Sequence, residues 1–186
     1  VGRSKGSMNP AEFCITNHVK AGCNQITAVV YRFSDGTYLE NQDMWAFSGI
    51  YRDVYVYSEA RVYPRDFYLE SELDEAYASA KYTLHATIRN RNKDACACKV
   101  SAWLERNGER HALGVGEGMI LSSGETTVRL EGIFPNPVLW SAETPNLYHL
   151  VIEIEADGHK EYHGCRHGFR KVEIRDNVTF LNGQPV

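Results

Sequence analysis

Between positions 81 and 88 every second residue is apolar: Tyr82, Leu84, Ala86 and Ile88 alternate with Lys81, Thr83, His85 and Thr87. A period of two puts the first set on one face of an extended chain and the second on the other, which is the pattern of a strand with one dry and one wet face. The same texture of β-branched and aromatic residues, broken by turn signals, predicts strands over 66–73, 78–89, 96–105, 126–132, 147–156 and 161–167. Asn107-Gly108 and Asp157-Gly158 are two-residue hairpin signals, because both central positions of the favoured turn need positive φ. About seven short strands over roughly 100 residues, with no helical period surviving, is the signature of an immunoglobulin-like sandwich. Pro135, Pro137 and Pro145 punctuate 135–145, so this stretch reads as a rigid crossing, with Trp140 plugging the end of the core in preference to stacking on a sugar. The compact stretch 114–126 (GVGEGMILSSGET) reads as a loop.

Upstream, residues 35–54 (DGTYLENQDMWAFSGIYRDV) show neither period, yet they gather Trp45, Phe47, Arg52 and the carboxylates Asp35, Glu40, Asp43 and Asp53. Such a segment reads as a shaped loop between two strands at 26–33 and 54–57, with Ser34-Asp35-Gly36 supplying the turn. Acids beside aromatic rings suit a polyol, since carboxylates accept hydroxyl hydrogen bonds and rings cover the apolar face of a sugar. On this pattern alone the preferred reading is the plainer one, in which Arg52 and Asp53 pin the loop to its own sheet and the rings are core.

Composition excludes several classes. Lys and Arg total 20 against 24 Asp and Glu, a net charge of −4, which offers no basic stripe for nucleic acid. No apolar run approaches membrane-spanning length, and the opening VGRSKGS is not a signal peptide. Five cysteines cannot all pair; Cys96 and Cys98 share one strand face and read as small buried hydrophobes, and a reducing compartment is favoured. His159, His163, Cys165 and His167 are the nearest approach to a metal box. Same-face residues of a strand lie nearly 7 Å apart, about two rises, so convergence on one ion is strained and a half-exposed strand is the preferred reading.

Three stretches, in order, carry a family resemblance: 35–57 (DGTYLENQDMWAFSGIYRDVYVY), 136–150 (NPVLWSAETPNLYHL) and 168–186 (GFRKVEIRDNVTFLNGQPV). They are similar to the bacterial β-galactosidases of glycoside hydrolase family two. The resemblance implies an all-β chain in which an immunoglobulin-like β-sandwich, residues 59–168, is preceded by the C-terminal part of a jelly-roll sugar-binding domain, residues 1–58. Residues 169–186 would then lead into a (β/α)8 catalytic barrel that the chain does not reach. Residues 1–20 are similar to the stretch that carries the family's Pro-Ala-Glu-Phe loop, with Cys14 where a carboxylate is usual. An incomplete sandwich exposes strand edges, so the chain is expected to self-associate.

Retaining glycoside hydrolysis needs two carboxylates about 5 to 5.5 Å apart, and in the resembling enzymes both are glutamates at the ends of barrel strands. No catalytic residue is therefore assigned to this chain, which is expected to be inactive alone. One functional residue carries across. Asp43, in Asn41-Gln42-Asp43-Met44-Trp45, matches the aspartate that ligates sodium and contacts a galactose hydroxyl; the family's preceding aspartate is Asn41 here. The resemblance thus implies Asp43 as substrate-binding and metal residue, and sodium and magnesium as cofactors of the longer parent, with neither ion nor galactose expected on this chain alone. It further implies a β-galactoside substrate, no nucleic-acid or membrane partner, a homo-oligomeric parent, and a cytoplasmic location with the periplasm as alternative. The shortened 114–126 region suggests a site completed without a neighbouring subunit's loop. A free-standing module that binds carbohydrate or protein is the competing reading.

Overall fold

The computed structural model describes residues 1–6, 9–39 and 48–186, which fall into two units, Val1–Tyr57 and Ser58–Val186. In the second unit the alternating segments form strands β1 (Val62–Leu73), β2 (Ser79–Asn90), β3 (Cys96–Arg106), β4 (Glu109–Ile120), β5 (Glu125–Pro135), β6 (Tyr148–Ala156) and β7 (His159–His167). They make two antiparallel sheets, ordered β1-β2-β5 and β4-β3-β6-β7. Leu84, Ala86 and Ile88 of β2 face Val100 and Leu104 of β3 and Leu150, Ile152 and Ile154 of β6 in one buried cluster. This is the dry face that the alternation requires. Both anticipated hairpin turns are present: Asn107 and Gly108 have φ of 52° and 83°, Asp157 and Gly158 of 51° and 72°. Cys98 is buried and Cys96 half-buried on the same face, none of the five cysteines forms a disulfide, and burial pushes the Cys98 thiol up.

The reading of 114–126 as a loop is corrected, since most of it belongs to β4. The strand pairs with β3 and carries a bulge at Leu113, which lies between the pairs Ala102↔Gly114 and Trp103↔Ala112. Gly114 there has φ of 136°, open to glycine but not to most side chains. The bulge turns the buried Leu113 carbonyl away from the ladder, and the Tyr82 hydroxyl donates to it at 2.7 Å. Beyond the bulge β4 packs face to face on β5. A Cβ on Gly116 would sit 2.6 Å from Cγ1 of Val128, so glycine is what lets the two sheets close at this edge. Because β4 joins β3 instead of β5, the sheets have four and three strands, with the fourth strand switched from its constant-domain position.

The anticipated plug of the core end is also different. Trp140 is half-buried, and Phe169, fully buried, closes the core. Its ring stacks on Phe134 at 4.9 Å and meets Tyr148 and His167 edge-on at 5.3 and 4.8 Å. Beyond it a small meander forms from β8 (Val172–Arg175), β9 (Val178–Leu181) and β10 (Gln184–Pro185).

In the first unit the anticipated strands at 26–33 and 54–57 are not formed; the described residues hold only a 3-10 turn, Thr16–His18, and a short helix α1, Asp35–Leu39. Val29 is 72% exposed and Tyr31 78%. Strand propensity reports fitness for a half-buried pleated surface, and no ladder partner stands beside these residues to provide one. The Ser34-Asp35-Gly36 turn becomes the start of α1: the Ser34 amide donates to Thr37 Oγ1 at 3.0 Å and the Thr37 amide to the Ser34 carbonyl at 3.1 Å. Asn24 closes the Ala21-Gly22 loop, donating to the Lys20 and Gly22 carbonyls while its Oδ1 accepts the Lys20 amide.

Candidate functional site

Asp43, the residue to which sugar and sodium binding was assigned, lies outside the described residues, as do Asn41, Trp45 and Phe47. What is described is the approach to it. Helix α1 ends at Leu39, Asp35 at its start pairs with Lys5, and the chain resumes at Ser48 with Gly49 at φ of 86°.

The histidine-cysteine row on β7 resolves into separate contacts. Glu161, His163, Cys165 and His167 alternate onto one face of β7, where Glu161, His163 and His167 are half-buried and Cys165 is exposed. The Glu161 carboxylate accepts the Ala60 amide at 2.7 Å and lies 3.4 Å from His163 Nε2. His167 Nε2 is hydrogen-bonded to Ser71 Oγ at 3.0 Å. Desolvation brings the His167 pKa down to about 4, so its ring is neutral near pH 7. Among the described residues no group of three or more His, Cys, Asp or Glu side chains could hold a metal ion. Nor is any helix among them long and apolar enough to cross a membrane.

At the Phe169 end of the sandwich the crossing and the meander are bound together. The Trp140 amide donates to the Phe169 carbonyl at 2.8 Å, backed by a bridge between Leu139 and Phe169. Asn182 is the hub. Its Nδ2 donates to the Trp140 carbonyl at 3.0 Å, its Oδ1 accepts the Lys171 amide at 2.9 Å, and its own amide donates to the Lys171 carbonyl at 2.8 Å. Desolvation raises the Glu173 carboxyl, but hydrogen bonds and charge from Arg175 and Lys171 together outweigh it and hold the group below its usual value, and Glu173 also accepts from the Tyr77 hydroxyl at 3.4 Å. Asn182-Gly183, with φ of 49° and 77°, is a third hairpin turn of the type recognised at Asn107-Gly108. The direction in which the chain leaves the sandwich is therefore set by specific hydrogen bonds.

Beside this junction a groove of about 480 Å³ is lined by Leu69, Ser71, Trp140, Leu147, Arg166, His167, Gly168 and Arg170. Sequence reasoning reached Trp140 and His167 separately but missed their meeting. Ser71 and His167 are 96 positions apart and come together only because the first and last sandwich strands face each other. The Arg170 guanidinium lies 4.9 Å from the Trp140 ring centroid.

A sandwich of these seven strands, its two sheets closed by a switched fourth strand, defines an immunoglobulin-like domain. The family model described as the sugar binding domain of glycosyl hydrolases family 2 matches residues 1–60, and the model of glycosyl hydrolases family 2 matches residues 60–170. The chain belongs to glycosyl hydrolases family 2. Two curated relatives, each named beta-galactosidase, from Priestia megaterium and Vibrio cholerae, are 38% identical to it across the whole chain. The chain spans 18% of the first and 19% of the second. Among solved structures, an exo-chitosanase from Amycolatopsis orientalis matches with a TM-score of 0.63 at 23% identity, over 75% of this chain and 17% of that one, a likeness of fold.

Proposed function

We propose that this chain is the non-catalytic part of a longer β-galactosidase that cleaves terminal β-galactosides with retention, that it scaffolds the catalytic barrel, and that it supplies one active-site loop. The observation that carries this reading is the end-to-end identity of 38% to two bacterial proteins of that name, each more than five times its length. In this reading residues 1–58 are the end of a jelly-roll domain, 59–168 the sandwich and 169–186 the lead into the barrel. The Asn182 hub and the Tyr77–Glu173 contact support a scaffolding role, because they fix the exit direction of the chain. Asp43 would bring a carboxylate able to accept a sugar hydroxyl and, as a hard oxygen donor, to ligate sodium. Magnesium would be held by residues of the barrel. The parent would be homo-oligomeric and cytoplasmic, a placement with which five cysteines that form no disulfide agree.

The test is an assay of the longer parent and of this chain on a chromogenic β-galactoside. The parent is expected to turn over substrate and this chain not to. Asp43→Ala in the parent is expected to lower kcat/KM about 100-fold, the order found when one electrostatic contact to the reacting sugar is lost, and to abolish activation by sodium. Hydrolysis by this chain alone, or an Asp43→Ala parent with unchanged kcat/KM and sodium response, would overturn the proposal.

A further inference from the structure

Asn107-Gly108 and Asn182-Gly183 are the two Asn-Gly dipeptides of the chain, and both sit in hairpin turns with nearly equal φ, 52° and 83° in the first and 49° and 77° in the second. An asparagine amide is a labile group, most so before glycine, whose backbone nitrogen has no neighbouring Cβ to keep it from the side-chain carbon. Local sequence therefore makes the two sites chemically alike, but their surroundings differ. Asn107 is exposed, and among the described residues its side chain makes no hydrogen bond. A Cβ built on Gly108 would meet nothing within 4 Å, so there is room beside the peptide nitrogen. Asn182 is half-buried and held at both ends of its amide, Nδ2 by the Trp140 carbonyl at 3.0 Å and Oδ1 by the Lys171 amide at 2.9 Å. Gly183 is crowded as well, since a Cβ there would lie 2.7 Å from the Tyr77 hydroxyl.

We propose that Asn107 is a site of spontaneous deamidation and that the fold shields Asn182 from the same reaction. A base takes the Gly108 amide proton, the nitrogen bonds to Asn107 Cγ, and the Cγ–Nδ2 bond breaks, with the proton returned to the departing ammonia. One water then opens the cyclic imide at either carbonyl, giving aspartate or isoaspartate. Amide and water become acid and ammonia, and nothing is oxidised or reduced. The aspartate product suits the turn, because Asp157-Gly158 holds φ of 51° and 72° in the same kind of hairpin. Isoaspartate adds a methylene to the backbone and is expected to disturb the Arg106↔Glu109 pair that closes the turn. At Asn182 even the aspartate product would cost the bond donated to the Trp140 carbonyl, so the shielded site is the one where the change does more harm. This inference does not depend on the glycosidase reading.

The experiment incubates the folded 186-residue chain in mildly alkaline buffer, alone and in unfolding urea, and follows both dipeptides by peptide mapping with mass spectrometry that separates aspartate from isoaspartate. In the folded chain Asn107 is expected to convert about tenfold faster than Asn182, since two hydrogen bonds must open before the second can react. In urea the two rates are expected to converge. Asn107→Asp should keep the urea midpoint of the unmodified chain, and Asn182→Asp should lower it by about 0.5 M, the loss of one net hydrogen bond. Equal rates in the folded chain, an Asn107 that stays intact there while urea converts both sites, or a rate difference that persists in urea would overturn the proposal.

Discussion

Replacing Phe169 by alanine tests whether the residue after the last sandwich strand is structurally part of the sandwich. The side chain is fully buried, and its ring is in contact with three others, at centroid distances of 4.9 Å to Phe134, 5.3 Å to Tyr148 and 4.8 Å to His167. Burying a phenylalanine contributes about 1.5 to 3 kcal/mol by transfer alone, and well-placed ring pairs add about 0.5 to 1.5 kcal/mol. The neighbours are anchored on β5, β6 and β7, so they cannot collapse into the space, and a cavity cost is added. The expected loss is about 3 to 5 kcal/mol, the range found for buried phenylalanine truncations. In urea melts followed by far-ultraviolet circular dichroism, with a slope of about 2 kcal/mol per molar, this lowers the midpoint by roughly 2 M. Ile133→Ala, at a position 71% exposed, is the control and should stay within about 0.5 kcal/mol. A Phe169→Ala loss below about 1 kcal/mol, near the control's range, would refute the claim that this ring closes the core.

Further expectations concern other parts of the sandwich. Because His167 titrates near 4 when folded and near 6.5 when unfolded, the unfolded chain binds the extra proton first; stability is full above about pH 6.5 and falls as pH drops toward 4, by an amount on the order of 3 kcal/mol at most. His167→Gln should remove that component, and equal acid sensitivity of the two proteins in urea melts at pH 7 and 4.5 would contradict it. Tyr82→Phe leaves the buried Leu113 carbonyl without its donor, which should cost about 1 to 3 kcal/mol and speed amide exchange along β3 and β4. Gly116→Val drives a side chain into Val128 and should destabilise by about 1 to 3 kcal/mol or more; an unchanged midpoint would mean the two sheets are not apposed there. Val29, Tyr31, Val54 and Tyr55 are exposed together in one unit, so sedimentation of the chain should depend on concentration, and a strictly monomeric profile would argue against self-association.

The alternation over 81–88, the two hairpin turns and the buried Cys96–Cys98 face were legible because each depends on a few adjacent residues. Period two fixes which side chains share a face, and Asn-Gly or Asp-Gly suffices for two successive positive φ values. Strand β4 was not legible for the opposite reason. Gly114, Gly116 and Gly118 look like punctuation, and only the facing strand, with Val128 and Leu130 against Gly116 and Thr126 and Val128 against Gly118, explains why side chains are excluded at the last two, while Gly114 meets nothing and serves the bulge through its φ. The same holds for the core end. Trp140 is the larger ring, but the parallel bridge between Leu139 and Phe169 brings the smaller one over the core and leaves the indole on the rim.

For function the division is sharper. Sequence similarity alone places the chain in its family and nominates Asp43, since motif and order need no coordinates, while the strands anticipated at 26–33 and 54–57 show that propensity without a neighbouring ladder makes no sheet. The meeting of Ser71 and His167 beside Trp140 could come only from tertiary structure. These residues come from three separated stretches of the chain, and they meet because the pairing of two sheets and one bridge beyond β7 sets them around a single space.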